Sequence, residues 1–128
     1  MSNWLKPLFL IHAVVAVVGG LPMLFVPGRV GTLFSWWPMD PVLGRILGAA
    51  LLALAWSSWR GWRGATEAQV ALLVEVETAF TVLTSAGLLY VGLRYSMPWY
   101  IWTLLGVFVA FAAAWVVALV KVVRTPQR

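Results

Sequence analysis

Two glutamates stand in a long apolar stretch of this chain, and they are the residues best placed to do chemistry. Glu75 and Glu77 lie in the run from Glu67 to Leu93. Counted from Thr66, Glu77 falls about 15 Å along a helix, near the middle of a bilayer. A carboxyl at that depth is costly and marks a candidate functional site. The two acids are two positions apart, so on a helix they point roughly 200° apart and cannot form a tight carboxylate pair. Glu77 continues into Thr81 and Thr84 on one face, with Thr78 and Ser85 beside it. This Glu-Thr-Thr stripe is the expected inward side of its helix. Glu75 falls nearer the margin, toward another helix or a partner subunit.

His12 is the single histidine. It lies about 10 Å into the first apolar run, close to the depth of Glu75, so a His12–Glu75 hydrogen bond is geometrically open. One reading is a proton relay, or a lone axial ligand to a haem or chlorophyll. The plainer one is a buried polar side chain bonded to a neighbouring helix, since most metal sites need several ligands. Arg45, one turn into the second run, either snorkels to the headgroups or reaches toward Glu77. Trp56, Trp59 and Trp62 repeat every three residues; they could flank a pigment, a quinone or a lipid, or simply serve as core or lipid-facing aromatics. The chain has no cysteine, which excludes disulfides and thiolate sites. It also lacks a phosphate-binding glycine loop, HExxH and a hydrolase triad. We therefore expect no catalysis, no bound metal and no cofactor.

The elements that carry these residues follow from composition. Of 128 residues, 62% are hydrophobic and 10% are charged, against about a quarter charged in soluble domains. So short a soluble globule could not hide that much apolar surface. Four stretches suffice to cross a hydrocarbon core, which takes ~20 helical residues: Leu5 to Val26, Pro41 to Trp59, Glu67 to Leu93 and Pro98 to Val120. The first is long for a signal peptide and no clean cleavage site follows it, so it reads as a retained helix. Asp40-Pro41 makes an N-cap acid and a proline at the first helical position. Thr66 and Gln69 match a capping box, with Glu67 at the positive end of the dipole. Ser96-Met97-Pro98 opens the last helix in a similar way, and Arg60–Gly64 closes the second with arginines and glycines. Gly19, Gly20 and Pro22 leave open whether the first helix kinks or stops there. Between Pro27 and Asp40, Val30, Leu33, Phe34 and Trp37 recur at helical spacing, which predicts a short amphipathic helix lying in the interface.

The net charge of +5 does not point to nucleic acid, because the bases sit at the ends of apolar runs, where they meet lipid headgroups and set topology. Lys6, Arg60, Arg63, Lys121, Arg124 and Arg128 fall on one side, and Arg29, Arg45 and Arg94 on the other. That asymmetry predicts cytoplasmic termini in a cell (inner) membrane protein. Trp36, Trp37, Tyr95, Trp99 and Tyr100 would form one interfacial belt, and Trp4, Trp59 and Trp62 the other. No internal repeat is visible, which argues against tandem-repeat transporter architecture.

Small residues mark expected close helix contacts: Gly44 and Gly48 in the second span, and Gly106, Ala110, Ala114 and Ala118 in the fourth. In outline, the Pro27–Arg29 turn and the stretch from Gly44 to Leu52 (GRILGAALL) resemble small bacterial four-helix membrane proteins of unknown function. The resemblance implies an all-α fold and brings no activity with it. The expected architecture is one domain, a four-helix transmembrane bundle with a short interfacial helix between helices 1 and 2. The expected role is a non-catalytic accessory or scaffold subunit whose partners are the lipid bilayer and other membrane subunits or further copies of itself. A small proton-coupled carrier using the intramembrane acids, and a cofactor-binding subunit through His12, are the other readings.

Overall fold

A computed structural model describes residues 4–35 and 39–124. Its described residues form α1 (Leu5–Phe25), α2 (Pro27–Leu33), α3 (Pro41–Gly64), α4 (Glu67–Arg94) and α5 (Trp99–Arg124). Four of them are long and apolar enough to cross a membrane, as in a multi-pass membrane protein. In hydrocarbon every backbone N–H and C=O must bond within its own segment, and helices meet that demand. The short α2 lies between the first two spans, as the periodicity predicted.

The helix ends follow the predicted chemistry. Asp40 Oδ1 accepts from the backbone N–H of Val42 at 2.7 Å and of Leu43 at 3.2 Å, with Pro41 next to it. Thr66 Oγ1 accepts from Gln69 N–H at 3.3 Å, and Gln69 Oε1 from Thr66 N–H at 3.0 Å, which completes the capping box. The helix α1 runs through Pro22 to Phe25, which matches the predicted first span and decides the open point against a stop at the Gly-Gly-Pro segment. One end differs from expectation. The helix α3 continues past Trp59 to Gly64, whose φ of +124° suits a glycine at a helix end. Gly61 is therefore no terminator. It is a contact residue: a Cβ there would lie 2.7 Å from the Phe9 ring.

The chain divides into two compact units, Met1–Gly64 and Ala65–Arg128. In the first, α1 and α3 pack antiparallel, and their contacts climb one helix as they descend the other. Phe9 meets Gly61, His12 meets Ser58, Gly20 meets Gly48, and Pro27, at the start of α2, meets Gly44. The closest approach is at Gly48. A Cβ added there would collide with the backbone nitrogen of Leu24 and come within 2.8 Å of the Gly20 carbonyl oxygen. Gly44 is nearly as tight, 2.8 Å from Pro27 Cβ. Helix α2 is held by buried Pro27 and Gly31, while Leu33, 78% exposed, and Phe34 point outward. The Val30-Leu33-Phe34 stripe thus faces away from the packed side, with Val30 half-buried, as the apolar face of a helix laid in the interface would. The remaining member, Trp37, lies outside the described residues, as do Trp36 and Arg128.

In the second unit α4 and α5 pack side by side. Phe80 and Phe108 meet with ring centroids 6.0 Å apart, and the Trp102 ring lies over Gly92, where a Cβ would sit 3.0 Å from it. The α5 small-residue ladder is divided between a packed and an open face. Ala118 is buried and Ala114 half-buried, but Gly106 and Ala110 are exposed, and nothing lies within 4 Å of a Cβ at Gly106. An i+4 ladder turns about 40° around a helix at each step, so its two ends cannot share one contact face. The face that is buried carries Ala112, Trp115 and Ala118.

Gly48→Ala should destabilise the protein by about 1–3 kcal/mol, the usual cost of forcing atoms into a filled space. Gly106→Ala should be neutral or slightly stabilising, because alanine is the better helix former and the space is open. Thermal unfolding in mild detergent, with both variants measured beside the parent chain, checks the contrast.

Candidate intramembrane polar sites

Helix α4 presents one packed stripe, made of Val70, Val74, Glu77, Thr78 and Thr81. Glu77 and Thr81 are 0% exposed. The stripe exists because these positions recur at i, i+4, i+7, i+8 and i+11, one face of a 3.6-residue period. Its hydroxyls donate to their own helix. Thr78 Oγ1 bonds the Val74 carbonyl at 2.6 Å, Thr81 Oγ1 the Glu77 carbonyl at 2.7 Å, and Ser85 Oγ the Thr81 carbonyl at 2.7 Å. Such back-bonding satisfies a hydroxyl in an apolar setting.

The predicted Glu-Thr-Thr face is thus present for Glu77 and Thr81 and weakens at Thr84, which is half-buried. Thr78, only a flanking residue by spacing, is the more enclosed of the two. Glu75 is exposed, on the far side of α4 from Glu77, as the angular separation requires. It lies about 8 Å from the midpoint of α4, well inside a hydrocarbon core of ~30 Å.

The second polar pair belongs to the first unit. His12 Nδ1 and Ser58 Oγ share a buried hydrogen bond of 2.9 Å. His12 thus bonds a neighbouring helix, and the partner is a serine that the sequence reading passed over. A signal for it was available. Ser58 lies about 9 Å from the Gly64 end of α3 and His12 about 10 Å from the Leu5 end of α1, so antiparallel packing sets them at one depth. Arg45 is exposed, and its guanidinium donates back to the Pro41 carbonyl at 3.2 Å. That direction, toward the start of α3, is the snorkelling geometry. Arg94 likewise lies 5.5 Å over the Tyr90 ring near the end of α4.

Chemically, these groups can hold or pass a proton. Among the described residues no three His, Cys, Asp or Glu side chains converge as a metal site would need. No family model, curated protein or solved structure matches the chain.

The His12–Ser58 bond should be measurable by a double-mutant cycle. With His12→Ala, Ser58→Ala and the double variant, we expect a coupling of about 0.6 kcal/mol, and no more than about 1.7, as for other interhelical bonds in membranes. Strict additivity in an unfolding assay would show that the bond contributes nothing.

Proposed function

We propose that this chain is a non-catalytic membrane subunit that assembles with other membrane helices, its own copies or those of another protein, through the face of α4 that bears Glu75. One observation carries this reading. An exposed carboxylic acid sits well inside the apolar span, and lipid does not tolerate one cheaply. A partner helix offering a donor or a base would satisfy it. The exposed small residues Gly106 and Ala110 on α5 are compatible with close approach of such a helix. The distribution of Lys6, Arg60, Arg63, Lys121 and Arg124 against Arg29, Arg45 and Arg94 supports cytoplasmic termini in a cell (inner) membrane.

A second reading rests on Glu77, a fully buried acid that shares the packed stripe of α4 with Thr78 and Thr81. It is a small proton-coupled carrier in which Glu77 takes and releases the proton. Equal ion-coupled flux into liposomes containing the parent chain or Glu77→Gln would remove the acid from that mechanism.

For the leading reading, the full chain is extracted gently from its membrane and the mass of the intact particle is measured. A homo- or hetero-oligomer is expected, and Glu75→Leu should weaken it about tenfold, the size of one interhelical polar contact of 1–2 kcal/mol. Recovery of the parent chain only as a lone monomer, or a Leu variant that assembles equally well, contradicts it.

A further inference from the structure

An open apolar groove runs along one flank of the first unit, between α1 and α3. Leu10, Val14 and Val17 form one wall, and Leu52, Trp56 and Trp59 the other. Both walls continue into a base at the same end. On α1, Lys6 stands one turn before Leu10, and Lys6, Leu10, Val14 and Val17 share a helical face. On α3, Leu52, Trp56, Trp59 and Arg63 do the same. The antiparallel register that sets Phe9 against Gly61 brings Lys6 and Arg63 to one mouth of the groove, and both are exposed. The Arg63 guanidinium lies 5.8 Å above the Trp59 ring, which packs at 4.8 Å against Trp62. Tryptophans of this kind mark headgroup depth. The one acid of this unit, Asp40, caps the opposite end of α3 and cannot neutralise the mouth.

A channel that is apolar along its length and cationic at the membrane surface has the polarity of an anionic phospholipid. From Leu10 to Val17 it extends about 10 Å, within one leaflet of ~15 Å. A second copy of the chain docked here by an apolar helix would leave both bases without a counter-charge. We infer that this groove binds one anionic phospholipid, its acyl chain against Val14 and Trp56 and its phosphate between Lys6 and Arg63. The site uses neither Glu75 nor Glu77 and does not depend on the assembly proposed above.

The test is competitive lipid retention. The full chain is reconstituted with equal phosphatidylglycerol and phosphatidylcholine, stripped in mild detergent, and its retained lipid is read by native mass spectrometry. One phosphatidylglycerol should remain preferentially. Lys6→Gln with Arg63→Gln should lower that preference about tenfold or more. Val14→Trp, at an exposed wall position, should reduce the retained lipid with both bases in place. Arg94→Gln removes a base outside the groove and should leave the preference unchanged. Equal retention of the two lipids, a Lys6/Arg63 variant like the parent, or an Arg94→Gln effect of the same size would overturn the site. Monodisperse elution and unchanged helix content of the variants separate lipid loss from misfolding.

Discussion

The contact on which the first unit depends is backbone against backbone, at Gly20, Leu24 and Gly48. Inside a bilayer no hydrophobic force draws two helices together, because lipid tails are as apolar as the side chains they replace. What remains is close packing, and it is closest where a glycine removes the side chain between helices. Gly48 stands against Leu24 and the Gly20 carbonyl at one end of the α1–α3 pair, and Gly61 stands against the Phe9 ring at the other. Those contacts fix the register of the two helices. The register in turn sets His12 beside Ser58 and aligns Lys6 with Arg63 at the mouth of the flanking groove.

The second unit is governed by the angle between its acids. Two residues of helix turn the side chain by roughly 200°, so enclosing Glu77 commits Glu75 to the opposite side. Glu77 lies in a stripe whose threonines have spent their hydroxyl protons on their own backbone. Glu75 is left facing outward at a depth where water is absent. One acid therefore belongs to the interior chemistry of the chain and the other to whatever lies beside it. The assembly reading draws on the second, and the carrier reading on the first.

Much of the fold was legible in the sequence because its signals are local. A span is declared by its own twenty-odd apolar residues, and the caps at Asp40 and Thr66 need only neighbours within a turn. The opposite directions of Glu75 and Glu77 also follow from local geometry. The pairing of His12 with Ser58 was not read, since it depends on a register between helices and on counting depth from two ends at once. Gly61 looked like punctuation beside two arginines, yet its job is to admit a phenylalanine. The α5 ladder is divided for a different reason: spacing by four on a straight helix drifts around the cylinder, so Gly106 leaves the face that Ala118 occupies. The packing of α2 on its neighbours rests on Pro27 and Gly31, small residues that a hydrophobic pattern overlooks.

The central claim, that α4 crosses the membrane with Glu77 enclosed and Glu75 outward, can be read directly because the chain contains no cysteine. A nitroxide placed at single cysteines from position 70 to position 84, in chain reconstituted at a lipid excess that keeps it monomeric, reports collision with oxygen dissolved in the lipid. The account predicts a period of about 3.6 residues, with minima at 70, 74, 77, 78 and 81 and high values at 72, 75, 76 and 83. A flat profile, or a maximum at 77 with a minimum at 75, would contradict it.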